Sequence, residues 1–139
     1  MPCPYFEPQR VASHPQYASA RLPLIEEYEG ACHAGAEPLA APEDLRFRCC
    51  NHGYSRGVCG HFPDRELRSG LRYDVRGRSS EVLQVLWIEE QSFEPSRWQV
   101  VSYSITTEQL DPEIADCCLR AQLLAFCRSY LRRFPLSHT

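Results

Sequence analysis

Between Cys49 and Pro63 the chain places three thiols (Cys49, Cys50, Cys59), two imidazoles (His52, His61) and three glycines (Gly53, Gly57, Gly60) in fifteen positions. Thiolates and imidazoles at close spacing are the donor set of soft and borderline metals. The same stretch has almost no aliphatic side chains. Apolar burial therefore cannot offset the entropy of ordering its backbone, and another interaction must hold it. A metal ion or cluster is the first candidate.

Eight cysteines occur in all, and helical geometry sorts three of them. Cys118 and Cys127 fall in a segment with helical periodicity, nine residues and so roughly 13.5 Å apart along the axis, which prevents them from sharing one ion. With Cys117 they read as small apolar core residues. Five thiols remain: Cys3, Cys32, Cys49, Cys50 and Cys59. Drawn from separate segments, they fit a four-cysteine iron-sulfur cluster of the 4Fe-4S type. Its ligands would be Cys3, Cys32, Cys59 and one of the adjacent pair, taken here as Cys50, with Cys49 beside it. Consecutive side chains normally diverge, so one of the two ligates and the other does not. The glycines would let backbone N–H groups approach the cluster sulfurs. No C-x-x-C knuckle occurs, which counts against zinc ribbons and bacterial ferredoxin patterns. The alternative is one tetrahedral zinc held by Cys49 or Cys50, His52, Cys59 and His61, which would leave Cys3 and Cys32 unused. His14, His33 and His138 read as ordinary surface or core residues.

Gly53-Tyr54-Ser55-Arg56-Gly57 matches G-x-S-x-G, the elbow that presents a nucleophilic serine. That elbow needs a buried strand before it and a helix after it. Here Cys-Cys-Asn-His precedes it, and Gly60 and Pro63 follow, so the segment reads as a glycine-rich ligand loop.

All fifteen cationic residues are arginines. The absence of lysine excludes a phosphate-loop lysine, Schiff-base catalysis and a lysine general base. A net charge of -3 gives no global attraction for nucleic acid. Eight arginines nevertheless lie between Arg46 and Arg78, against four acids in or beside that span, Asp44, Asp64, Glu66 and Asp74. A redox partner or macromolecule, nucleic acid included, would dock near this span, and its absence would make the span a solvated face. No stretch approaches the roughly 20 apolar residues a membrane span requires, and Met1-Pro2-Cys3-Pro4-Tyr5 lacks the charged and apolar regions of a signal peptide. A cytoplasmic location without membrane partners is expected. In that compartment thiols stay reduced and favour metal ligation over disulfides.

The elements that must position these thiols are expected to be an α+β arrangement in one domain, 1–139, with a cysteine-rich metal-binding half (1–63) and a sheet-and-helix half (64–139). Seven prolines within residues 1–45 imply a loop-rich start with short helical turns. One turn would run from Pro23 to Gly30, placing Cys32 just beyond its end, and another from Pro42 towards Cys49 and Cys50. Leu71, Tyr73 and Val75 alternate with Arg72, Asp74 and Arg76 as in a half-buried strand. Val82–Ile88 and Arg97–Ile105 complete a small three-stranded antiparallel sheet, the latter two joined through Phe93–Ser96. Asp111-Pro112-Glu113 would open a long C-terminal helix running to Pro135 and packing on that sheet.

These features point to a small bacterial-type metalloprotein with a redox, sensing or structural iron-sulfur cluster. The alternative is a zinc-stapled protein- or nucleic-acid-interaction module.

Overall fold

The computed structural model describes residues 2–13, 23–35, 37–41, 43–51, 59, 68–92 and 94–135, with backbone alone at 43, 47, 48, 68 and 69. Strands dominate. A first antiparallel sheet contains β1 (Phe6–Val11), β2 (Tyr28–Cys32) and β3 (Leu39–Ala40), in that order. Next comes α1 (Glu43–Leu45), which runs directly into a π-helical turn at Arg46–Asn51. The second sheet, also antiparallel, has the order β4 (Arg68–Arg78), β5 (Val82–Gln91), β6 (Glu94–Ser104) and β7 (Leu110–Asp111). One helix follows, α2 (Cys117–Arg133).

The expected α+β arrangement, one three-stranded sheet with a long helix and a loop-rich N-terminal half, is therefore incorrect in three respects. The N-terminal half carries its own sheet. Buried backbone groups need partners, and this segment finds them between strands: Phe6 pairs with Cys32, Glu7 with Ala31 and Val11 with Tyr28. Pro8 is tolerated because β1 is an edge strand and its register shifts between Pro8 and Arg10. Gly30 does not end a helix. It lies opposite Pro8, where a Cβ would come within 2.0 Å of the Glu7 carbonyl oxygen and 3.0 Å of the Gln9 nitrogen. Only glycine allows the strands to approach this closely.

The second sheet has four strands. The first three lie where the alternation places them, and β7 adds a short edge by pairing Asp111 with Ser102 and Leu110 with Tyr103. Glu94, Pro95 and Ser96, expected in the connection, already belong to β6.

The helix is shorter because Asp111 belongs to β7 and the cap is Asp116. Its side chain accepts from Cys118 N–H (3.0 Å) and Leu119 N–H (3.1 Å), satisfying two first-turn donors. Among the described residues, no helix is long and apolar enough to cross a membrane.

One hydrophobic cluster joins these parts. Phe6, Leu24 and Tyr28 come from the N-terminal half, Leu71, Leu83, Val85, Trp87, Val101 and Tyr103 from the second sheet, and Leu119, Leu123, Phe126 and Cys127 from α2. A buried polar clamp adds direction to this packing. Gln122, fully buried on α2, donates through Nε2 to the carbonyls of Cys3 (2.7 Å) and Phe6 (2.8 Å), and its Oε1 accepts from the Tyr73 hydroxyl (2.7 Å). The start of β1 is thus tied to both the helix and β4.

Candidate metal centre

Five thiols from four segments lie around the junction of the N-terminal sheet and the π-turn, near enough to act on Cys50. Cys3 precedes β1. Its N–H donates to the Cys50 carbonyl (3.1 Å), and its carbonyl accepts from Phe6 N–H (3.0 Å) as well as from Gln122. Preceding it, Pro2 accepts from Leu71 N–H (3.3 Å), so the chain start is wedged between β4 and the turn. Cys32 ends β2, paired with Phe6 on one side and Leu39 on the other. Cys49 and Cys50 are buried in the π-turn, and Cys59 is half-buried against the same core cluster as Cys3 and Cys50.

Asn51 fixes the turn that carries the adjacent pair. It is fully buried, accepts Tyr28 N–H at Oδ1 (2.8 Å) and donates through Nδ2 to the carbonyls of Tyr28 and Arg46 (2.8 Å each). One amide thereby closes the turn and fastens it to the first residue of β2. Arg46, whose side chain is 11% exposed, reinforces the join by an ion pair to buried Glu27 (2.8 Å), with Glu29 at 3.8 Å.

Burial pushes the Cys50 thiol well above the usual cysteine range, and Cys3, Cys32, Cys59 and Cys49 all lie near enough to push it further. Cys50 thus feels the other four thiols. The group is nevertheless wider than the coordination sphere of a single ion. Tetrahedral Zn–S bonds of about 2.3 Å place sulfurs only about 3.8 Å apart. Among the described residues, the one trio of His, Cys, Asp or Glu ligand atoms that all fall within 4.8 Å of one another lies elsewhere, at His33, Cys117 and Cys118.

That trio was not legible in the chain. His33 immediately follows Cys32, and Cys117 and Cys118 open α2. Cys117 is not a core residue: it is exposed, because it occupies the first helical position beyond the Asp116 cap. Cys118 and Cys127 are buried in the core, where burial pushes Cys127 up to about 12, with Arg128 offsetting a little. A neutral, inert thiol results.

His52 and His61, needed for the local zinc alternative, lie outside the described residues, as do His14, His138 and the whole Gly53–Gly57 elbow. Of the arginine-rich span, Arg46 is held by Glu27. Arg78 donates to the Phe134 carbonyl and stacks over the Tyr130 ring at 5.5 Å. Arg72 and Arg76 are exposed on β4, Arg76 being 3.7 Å from Asp74. The side chains of Arg48, Arg56, Arg65 and Arg68 are outside the described set. Two of the span's arginines are therefore internal contacts of the fold. No protein-family model, curated protein or solved structure matches this chain.

Proposed function

We propose that Cys3, Cys32, Cys50 and Cys59 hold an iron-sulfur cluster, of the 4Fe-4S type by thiol count, and that the protein uses it for electron transfer, redox sensing or support of its own N-terminal half. The observation that carries this reading is the convergence of thiols from four separate segments around Cys50. A cluster spreads its ligands farther apart than one ion does and can draw them from distant loops. The donor set is all sulfur, which suits iron-sulfur chemistry.

When bound, the cluster supplies a one-electron couple whose potential is set by burial and by hydrogen bonds to its sulfurs. The chain's own residues hold the ligands in place. Gln122 and the Cys50 carbonyl anchor the Cys3 backbone, Asn51 closes the turn bearing Cys50, and the β1–β2 pairing places Cys32. The buried Cys50 thiol resists ionisation, and a cation binds thiols by displacing their protons, so loading should release protons and weaken in acid. With four protein ligands the metal positions are filled, which favours an electron carrier or sensor over Lewis-acid catalysis.

Anaerobic purification followed by absorption spectroscopy and iron, sulfide and zinc analysis tests the proposal. A brown protein with iron and acid-labile sulfide in equal amounts is expected. A colourless protein with zinc that is lost in His52→Ala and His61→Ala variants would replace the cluster with a zinc-stapled module.

A further inference from the structure

We propose that His33, Cys117 and Cys118 form a second metal site, separate from the N-terminal thiols, that takes a zinc ion and staples the end of β2 to the first turn of α2. The ligand atoms of the three residues already lie within 4.8 Å of one another, a spacing that small side-chain movements convert to a tetrahedral sphere. Two sulfurs and one imidazole nitrogen are a zinc donor set, and three protein ligands leave a fourth position for water.

A second, independent feature matches. His33 Nε2 is 2.9 Å from Glu7 Oε1, so its N–H is donated to a carboxylate on the neighbouring strand. This fixes the tautomer in which Nδ1 carries the lone pair, and the carboxylate–histidine pair is the arrangement that orients and strengthens a histidine ligand. The elements are rigid. Glu7 pairs with Ala31 in the strand register, His33 N–H donates to the Tyr5 carbonyl (2.8 Å), and Cys118 N–H is capped by Asp116 (3.0 Å). The two thiols are consecutive, yet their sulfurs lie within 4.8 Å of each other and of the imidazole. Cys117 is exposed, which gives the ion a path in from solvent. Binding would release the two thiol protons, while His33 coordinates in its neutral form.

The site uses none of the four proposed cluster ligands, so the two readings fail separately. The full chain, purified anaerobically with its native metal content, is loaded with zinc alone and dialysed against a chromophoric chelator, while iron and sulfide are measured on the same samples. Cys117→Ser and His33→Gln are the probes, because neither removes a fully buried side chain, and matching circular dichroism and urea midpoints check that they fold. The expected result is that wild type retains a tightly bound zinc that both variants lose, with iron and sulfide unchanged. Glu7→Gln should weaken zinc binding by about 10- to 100-fold. Zinc retained equally by wild type, Cys117→Ser and His33→Gln, or no zinc withheld from the chelator by wild type, would overturn the proposal. Zinc lost from Cys3→Ser but kept by Cys117→Ser would assign the ion to the N-terminal thiols and overturn it too.

Discussion

Replacing Asn51 by alanine should unfasten the thiol-bearing half from the rest of the protein. Asn51 is 0% exposed, and its amide satisfies three backbone groups: Tyr28 N–H, the Tyr28 carbonyl and the Arg46 carbonyl. Alanine reaches none of them. Two of the bonds are buried and one is partly so. At about 1–3 kcal/mol for each buried group left unpaired and about 1 kcal/mol for the third, the loss is about 3–7 kcal/mol. A domain of this size has a total stability of about 5–15 kcal/mol, so the variant should be marginal or locally unfolded. The damage should begin at β2 and the π-turn, since the core formed by β4, β5, β6 and α2 does not pass through Asn51. Hydrogen exchange followed by mass spectrometry on the reduced, metal-free protein checks this: peptides over 28–32 and 46–51 should lose protection first, and those over 82–91 last. Urea unfolding gives the magnitude. An Asn51→Ala variant within about 1 kcal/mol of wild type, with Tyr28–Cys32 amides equally protected, would refute the view that this amide holds the turn to the strand.

Further consequences concern the same framework. Gly30→Ala would drive a methyl group into the Glu7 backbone, and should cost about 1–3 kcal/mol in urea unfolding, because backbone rather than a flexible side chain must move. Gln122→Leu keeps the volume but leaves the carbonyls of Cys3 and Phe6 and the Tyr73 hydroxyl without their partner; about 2–5 kcal/mol of destabilisation is expected, together with faster chelator stripping of bound metal. Glu26 gives a pH signature. Burial would raise its pKa, but the Ser129 hydrogen bond and the Arg132 and Arg133 guanidiniums outweigh burial and hold it below the usual carboxylate value. Its contribution is therefore fully present above that usual value and lost as pH falls through the depressed one. Urea midpoints measured from neutral pH down into the carboxylate range should fall less steeply for Glu26→Gln than for wild type, and parallel curves would show that the arginines do not stabilise the charged form.

Legibility followed the kind of signal each element carries. Leu71, Tyr73 and Val75 alternate cleanly, and Pro135 follows soon after the last helical residue, so β4 and the end of α2 could be read from side-chain periodicity and backbone chemistry. The start of α2 could not, because Asp111 and Asp116 are both suitable caps and the choice depends on β7, a two-residue strand too short to show a period. The N-terminal sheet was hidden by its prolines and by Gly30, which read as breakers until Pro8 is seen on an edge and Gly30 at a close strand crossing. The proposed ligand thiols could be named because cysteines are conspicuous in a sequence. The residues that position them, Asn51 and Gln122, could not, since a lone amide carries no pattern and its role depends on carbonyls remote in sequence. The same holds for His33, whose neighbours Cys117 and Cys118 come from the far end of the chain.

The central claim, that a cluster sits on thiols from four segments with Cys50 among its ligands, is tested most directly by the adjacent pair. Cys49→Ser and Cys50→Ser are purified anaerobically beside wild type, and iron, acid-labile sulfide and visible absorption are compared. Cys3, Cys32 and Cys59 all act on the Cys50 thiol, which is the member of the pair assigned as ligand, so Cys50→Ser should lose the cluster and its colour while Cys49→Ser keeps both. Equal iron and colour in the two variants, or wild-type protein without iron and sulfide, would contradict the account.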